Sequence, residues 1–141
     1  MKKIFIPLYF ICCFILLSNC ENTTPKKNIS SNQSNNTITG IPIKIDNLEV
    51  AQYDFPKNMN WVDAEKFCDS LGNDWRLPNK DELNKLFQHK DRIGGFNGNW
   101  YWSSTVDNND DAWMQAFGNK IEGTGFIGKT MPLYIRAVRS K

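Results

Sequence analysis

Apolar residues recur at helical spacing in the segment that follows Asn60. The residues on this spacing are Trp61, Ala64, Cys68 and Leu71. Steps of three and four positions place them on one stripe of an α-helix. Asn60 is a favourable N-cap residue, and Gly72 can adopt the left-handed conformation that ends a helix. The pattern therefore predicts a helix between Asn60 and Gly72.

The pattern changes from helical spacing to alternation at Trp75. Trp75 and Leu77 flank Arg76 in an extended pattern, and Pro78 keeps Leu77 out of helical space. A second helix is predicted directly after it. Asn79 and Glu82 have the spacing of a capping box. The buried stripe of this helix is Leu83, Leu86 and Phe87.

Beyond and before these helices, short alternating or aromatic runs predict strands. The predicted strands are residues 48–55, 100–105, 112–117 and 134–139. Polar or glycine-rich stretches at residues 106–111 and 119–130 predict loops. The result is an α+β domain of two helices packed on a small antiparallel sheet with long loops.

The N-terminus has a different pattern. Ile4 to Leu17 is an apolar run of fourteen residues after a basic start. It is shorter than the roughly 20 residues that span a bilayer and is typical of a secretory signal. The run ends in Leu17-Ser18-Asn19-Cys20, which resembles a bacterial lipobox with Asn19 in place of the usual small residue. We expect residues 1–19 to be removed and Cys20 to be lipidated; the alternative is an ordinary signal with an incidental cysteine.

Residues 21–40 contain no aromatic residue and are rich in Asn, Ser and Thr. Such a stretch buries too little apolar surface to offset its ordering entropy. We expect residues 20–40 to form a lipidated tether with a reach of roughly 25 Å. The folded head is then residues 41–141, held in the bacterial cell envelope, at the outer membrane or cell surface, through the lipid.

Charge and cysteine content reduce the number of possible functions. The chain has 17 basic and 15 acidic residues, and loss of Lys2 and Lys3 with the signal leaves 15 of each. No general basic field remains to recruit nucleic acid, so no nucleic-acid partner is expected. Cys68 is the cysteine left after processing and lipidation. A lone thiol on an apolar helix stripe is typical of a small buried hydrophobe.

Six motifs follow one another in the head. They are W-x-x-A-x-x-x-C from Trp61, L-G-x-x-W-R-L-P-x-x-x-E-L from Leu71, G-G-F from Gly94, Y-W-S-S-T from Tyr101, A-W-x-Q-x-F from Ala112 and R-A-V-R from Arg136. This series resembles the Lcl C-terminal-like family, a bacterial domain of largely unknown function named from a collagen-like surface adhesin. The resemblance covers roughly residues 50–139. It implies a C-type-lectin-like fold, related to that of formylglycine-generating enzymes and of target proteins of diversity-generating retroelements.

A first set of residues is expected to be structural. These residues are Trp61, Cys68, Gly72, Trp75, Arg76, Leu77, Glu82, Tyr101, Phe117, Arg136 and Arg139. Arg76 points away from Trp75 and Leu77, and an ion pair, for which Glu82 is a candidate, is favoured over a ligand contact. Arg136 and Arg139 have the same interpretation.

A second set is predicted to contact a ligand. In a strand, Trp100 and Trp102 share one face and Tyr101 takes the other. Both faces are not expected to be core in so small a domain, so one aromatic face is predicted to be exposed, with packing as the alternative. The candidate contacts are Trp102, Asn108, Asp110, Asp111, Trp113, Gln115, Asn119 and Lys129. Aromatic residues of this kind stack on sugar rings and are enriched at protein interfaces.

The sequence gives less support to a metal site or a catalytic site. Asp107–Asp111 carries oxygen ligands that calcium prefers, but its spacing fits no EF-hand loop. The Glu-Pro-Asn and Trp-Asn-Asp triplets of calcium-dependent lectins are absent, so no metal or cofactor is expected; calcium at Asp107–Asp111 is the less favoured alternative. With His89 as the single histidine, no histidine-based triad can form. No cysteine follows Cys68, whereas formylglycine-generating enzymes use cysteines near the C-terminal part of the domain.

The sequence thus predicts an adhesin-like, non-catalytic binding module for a glycan or protein ligand. The alternatives are a structural envelope lipoprotein without a diffusible ligand, or an enzyme of the formylglycine-generating type that has lost its cysteines.

Overall fold

The computed structural model describes residues 38–118 and 123–141. The predicted signal peptide, the lipidation site at Cys20, most of the tether and Asn119 lie outside these ranges. Contacts with the head begin at Ile38, inside the stretch assigned to the tether. The Ile38 carbonyl accepts from the Tyr53 amide at 3.2 Å, and the Thr39 carbonyl accepts from the Gln52 amide at 3.0 Å. Among the described residues, no helix is long and apolar enough to cross a membrane.

In the described part of the head, two short strands precede the helices and four strands follow them. The elements are β1 (Ile43–Ile45), β2 (Leu48–Val50), α1 (Trp61–Ser70), α2 (Lys80–Gln88), α3 (Lys90–Ile93), β3 (Trp100–Val106), β4 (Asp111–Ala116), β5 (Thr124–Gly128) and β6 (Val138–Ser140). They form two antiparallel sheets of three strands, in the orders β1-β2-β6 and β3-β4-β5. The α+β class is therefore confirmed, with two sheets in place of the single one expected.

The strand predictions need three corrections. The strand expected over residues 48–55 ends at Val50, and the one expected over 134–139 is reduced to β6. The loop predicted at residues 119–130 is wrong where it overlaps β5, which pairs with β4 through Trp113 opposite Phe126. Gly125 and Gly128 concealed this strand, because glycine weakens a strand signal that tertiary pairing here restores.

The two predicted helices are confirmed, and their local signals explain their bounds. The Asn60 side chain caps α1 by accepting from the Asp63 amide at 2.9 Å. Gly72 follows α1 with φ 68°, the left-handed value that glycine adopts without strain. Cys68 is fully buried on the inner face of α1. Burial raises the pKa of its thiol to about 12, so the thiol stays protonated and packs as a small hydrophobe.

β3 lies between two hydrophobic clusters, one on each of its faces. Trp102 belongs to the cluster that contains Cys68 and Trp75. Tyr101 belongs to the cluster formed with α2, which contains Leu83 and Phe117. Two helices that cover opposite faces of one strand thus allow both of its faces to be core.

The core assignments made from sequence largely hold. The buried members of that set are Cys68, Trp75, Leu77, Tyr101 and Phe117. Trp61 is only partly buried, and its indole Nε1 donates to the Ser103 carbonyl at 2.8 Å. It packs against the α1 side of β3 and joins that helix to the strand.

A buried ion pair joins the segment before β6 to the segment after β2. The Arg136 guanidinium is fully buried, and its Nε lies 2.7 Å from Asp54 Oδ1. The guanidinium also donates to the carbonyls of Ala51, Gln52, Gly94 and Gly95. Tyr101 donates its hydroxyl to the other Asp54 oxygen. Desolvation and the nearby Asp54 charge raise the pKa of the Tyr101 phenol, which keeps it protonated as a donor.

Two further arginines make the ion pairs expected of them. Arg76 forms a two-bond fork with Glu82 at 2.7 and 2.8 Å. Arg139 lies 2.7 Å from Glu49 on the neighbouring strand. Arg76 also makes a backbone bridge with Val138, so the extended segment predicted around it pairs with the last strand.

The capping box at the start of α2 shares its carboxylate with the Arg76 fork. Glu82 Oε2 accepts from the Asn79 amide at 2.9 Å, and Asn79 Oδ1 accepts from the Glu82 amide at 2.8 Å. Burial alone would raise the pKa of Glu82, but the hydrogen bonds from Arg76 and Asn79 outweigh it and lower the pKa below 4.5. The ionised form is therefore favoured by folding.

Replacing Glu82 with glutamine should make the free energy of unfolding less dependent on pH in the acid range. Because the folded pKa is the lower one, Glu82 stabilises the head fully above pH 4.5, and this stabilisation is lost as the pH falls through the folded pKa. We expect Glu82→Gln to be destabilised by about 1 kcal/mol at pH 7 and to match the unsubstituted chain near pH 2. Urea unfolding across this pH range measures the difference. A difference in the free energy of unfolding that stays constant across this pH range would contradict the predicted effect of Glu82 ionisation.

Candidate functional site

The structure separates the residues predicted to contact a ligand into three places and leaves Asn119 undescribed. Trp102 is fully buried, and its indole Nε1 donates to the Met59 carbonyl at 3.0 Å. The prediction that it lies on a ligand surface is wrong, because α1 covers the face of β3 that carries it.

Four of the candidates form the turn between β3 and β4 and its support. The Asn108 side chain accepts from the amides of Asp110 and Asp111 at 2.8 and 2.9 Å, which closes the turn. Lys129 Nζ lies 3.2 and 3.0 Å from the carbonyls of Asn108 and Asn109. The same ammonium group lies 4.6 Å from the ring centroid of Trp61. These polar groups are engaged with one another.

The metal hypothesis for Asp107–Asp111 finds no cluster to support it. Within residues 38–118 and 123–141, no group of three or more His, Cys, Asp or Glu side chains could hold a metal ion. The carbonyls of Asn108 and Asn109 in this turn accept hydrogen bonds from the Lys129 ammonium group.

The remaining two candidates, Trp113 and Gln115, lie together in an open groove. They are two positions apart on β4 and point to the same face, where Trp113 is opposite Phe126 and Gln115 opposite Thr124. The first turns of α2 run beside them. We call this feature the α2–β4 groove; it is lined by Lys80, Asp81, Asn84, Trp113, Gln115 and Thr124 and has a volume of about 280 Å³.

The groove continues past Gln115. A second depression of about 320 Å³ shares Asn84, Gln115 and Thr124 with it and extends to Phe87 and Gly123. The groove is therefore elongated, and Gln115 lies where its two parts meet.

Two buried polar atoms at the groove have no hydrogen-bond partner. They are Trp113 Nε1, a donor, and Gln115 Oε1, an acceptor. Among the described residues no other buried side-chain nitrogen or oxygen is left unpaired. Gln115 is only 3% exposed, and its Nε2 makes a long contact of 3.4 Å with Asn84 Oδ1. An unpaired buried polar group costs about 1–3 kcal/mol, so two at one place indicate a site kept for something other than stability.

A larger depression elsewhere has no buried side-chain atom that lacks a hydrogen-bond partner. It has a volume of about 370 Å³ and lies between α3 and Phe117, lined mainly by glycines and by Lys90 and Asp91. None of its lining residues has an unpaired buried side-chain atom. We therefore take the α2–β4 groove as the candidate site, in spite of its smaller volume.

Sequence reasoning found the β4 residues of the groove and missed those that face them. Lys80, Asp81 and Asn84 come from the polar side of α2, and the pairing of that side with β4 is a tertiary contact. Thr124 was missed because β5 was expected to be loop. The β-branched and aromatic residues Thr124, Phe126 and Ile127 were the signal available for this strand.

Solved structures share this architecture. The crystal structure of EMS16, an antagonist of the collagen receptor integrin alpha2beta1, matches with a TM-score of 0.52 and 10% identity, over 71% of this chain and 97% of that one. Botrocetin, in complex with a von Willebrand factor A1 domain mutant, matches with a TM-score of 0.53 and 12% identity, over 71% and 96%. Botrocetin crystallised alone matches with a TM-score of 0.52, 15% identity and the same coverage. The fold is therefore C-type-lectin-like.

The family is defined by the sequence. The profile of the Lcl C-terminal domain matches residues 20–139, and the chain belongs to the Lcl C-terminal domain family. No curated protein matches the chain.

Proposed function

We propose that this protein is a lipid-anchored, extracytoplasmic binding module that recognises a glycan or protein ligand without catalysing a reaction. The observation that carries the proposal is the pair of unpaired buried atoms, Trp113 Nε1 and Gln115 Oε1, at an open groove. A ligand that pairs them gains hydrogen bonds which the free protein lacks.

The composition of the groove supports recognition over catalysis. Its side chains include one carboxylate, Asp81, and one ammonium group, Lys80, both exposed, and neither histidine nor cysteine. General acid–base or nucleophilic catalysis needs a positioned pair of groups within hydrogen-bond reach of one another. Of the structures named above, EMS16 is an antagonist of a receptor and botrocetin forms a complex with a protein domain, which fits a binding role.

The anchor is supported by the sequence. Residues 1–19 have the pattern of a secretory signal, and Leu17–Cys20 resembles a lipobox. We expect the polar stretch before the head to act as a tether that allows the head to reach a ligand away from the membrane surface. We place the head at the outer membrane or cell surface.

Purification of the full chain from bacterial membranes tests both halves of the proposal. We expect the chain to fractionate with membranes and Cys20→Ala to lose this association. In a detergent without a sugar headgroup, the membrane-extracted chain should bind saturably to at least one member of a panel of immobilised glycans and purified envelope or extracellular proteins. Absence of saturable binding across the panel, with and without calcium, would favour the structural envelope role.

A further inference from the structure

We propose that the ligand of the α2–β4 groove is a neutral saccharide held by Trp113 and Gln115. This inference rests on the proposed binding function and specifies its ligand. It is independent of calcium, since the groove lining has a single carboxylate, Asp81.

The first argument is the chemistry of the two unpaired atoms. Trp113 Nε1 needs an acceptor, whereas Gln115 Oε1 needs a donor. A phosphate or carboxylate ligand offers acceptors only, and an ammonium ligand offers donors only. A hydroxyl group is both donor and acceptor, so a ring that carries several hydroxyls can pair with both atoms.

The second argument is charge. Lys80 and Asp81 are neighbours on the groove rim and carry opposite charges. The other lining side chains, Asn84, Trp113, Gln115 and Thr124, are uncharged. The groove therefore presents no net charge to attract a sulfated, sialylated or phosphorylated ligand, and a neutral one fits it best.

The third argument is shape and apolar surface. Trp113 and Phe126 contact each other edge to face, with ring centroids 5.0 Å apart. The Trp113 ring, held by this contact, supplies apolar surface to the groove beside the amide and hydroxyl groups of Asn84, Gln115 and Thr124. This combination suits a sugar ring with both apolar and polar edges. Since two depressions meet at Gln115, the groove has room for more than one ring.

The burial of the two unpaired atoms sets a condition on binding. Neither atom is open to solvent in the free head, so a neighbouring side chain must move when the ligand enters. Phe126 is 41% exposed and contacts Trp113, so it can turn aside without opening either hydrophobic cluster.

The test uses the full chain, extracted in a zwitterionic detergent without sugar, and immobilised oligosaccharides of glucose, galactose, mannose and N-acetylglucosamine. Sulfated and sialylated glycans and purified envelope and extracellular proteins are included for comparison. We expect saturable binding of at least one neutral oligosaccharide, unchanged by EDTA. Preference for the charged glycans, or loss of binding in EDTA, would overturn the inference.

Two conservative variants locate the site. Trp113→Phe keeps an aromatic ring but removes the indole donor, and we expect about a tenfold loss of affinity. Gln115→Met keeps the side-chain length but removes the amide, and should lower affinity at least tenfold while leaving the melting temperature unchanged or higher. The matched control is Gln52→Met, because Gln52 Oε1 is paired with the Ile41 amide at 2.9 Å and lies outside the groove. Gln52→Met should keep full affinity and show no gain in melting temperature.

The possible outcomes distinguish a failure of the saccharide inference from a failure of the proposed binding function. Saccharide binding that both groove variants retain would place the ligand elsewhere and overturn the inference. Binding to a purified protein but to no saccharide would overturn the inference and leave the proposed function standing. Binding to neither class would overturn both.

Discussion

Replacing Arg136 with methionine is expected to lower the free energy of unfolding by about 3–5 kcal/mol. The guanidinium is fully buried and pairs with Asp54, so the substitution leaves a carboxylate unpaired in the interior. It also strips donors from the carbonyls of Gly94 and Gly95, which close the turn after α3. Urea unfolding at neutral pH measures the loss.

Arg139→Met is the matched control for this experiment. Arg139 makes its ion pair with Glu49, but its side chain is 27% exposed, and partly exposed pairs contribute about 1 kcal/mol or less. The double variant Arg136→Met/Asp54→Asn should recover part of the loss, because it removes the lone buried charge. Equal losses of unfolding free energy for Arg136→Met and Arg139→Met would show that the buried ion pair contributes no more to stability than the partly exposed one.

Trp102→Ala is expected to destabilise the head by about 3–5 kcal/mol. Its side chain is fully buried between β3 and α1. Its removal leaves a cavity and takes away one of the two hydrogen bonds that the Met59 carbonyl accepts, the other coming from the Leu133 amide. Thermal unfolding followed by circular dichroism measures the effect.

Trp113→Ala provides the comparison on the neighbouring strand. Trp113 is only partly buried and its Nε1 has no partner, so we expect about half the loss found for Trp102→Ala. The two tryptophans were predicted from sequence to play the same role. Similar losses for both variants would show that Trp113 is a core residue and would remove it from the site.

The helices could be predicted because their signals are local. The capping box of α2 lies within four residues, Asn79 to Glu82, and the apolar stripes repeat within each helix. Residue pairs this close in sequence meet through backbone geometry alone. The Arg76–Glu82 pair, six positions apart, was found for the same reason.

The strands and the burial of Trp102 could not be predicted in the same way, because they depend on distant contacts. β5 is stabilised by its pairing with β4, where Phe126 meets Trp113. The expectation of one exposed aromatic face rested on the small size of the domain. In the structure α1 and α2 cover opposite faces of β3, so Tyr101 and Trp102 are both core.

The β4 side of the candidate site could be predicted from the sequence, and the α2 side could not. Trp113 and Gln115 stand out in the A-W-x-Q-x-F motif because they place an aromatic ring and an amide two positions apart, on one face of the predicted strand. Their partners on α2 could not be found, since the placement of Asn84 beside Gln115 depends on how the helix packs on the sheet. Buried atoms without partners are also visible only once the surroundings of each side chain are known.

The pairing of β2 with β6 governs when this head can fold. Glu49 and Arg139 meet across 90 positions, so the first sheet encloses almost the whole head within one closed loop. Long-range pairing of this kind is slow, because the entropy of loop closure is lost before the contacts form. During synthesis the β1–β2 hairpin must wait for β6, about ninety positions later, before the first sheet can form. The first sheet is therefore completed only after the helices and the second sheet have been synthesised, and under the export that we propose the head would stay unfolded until then.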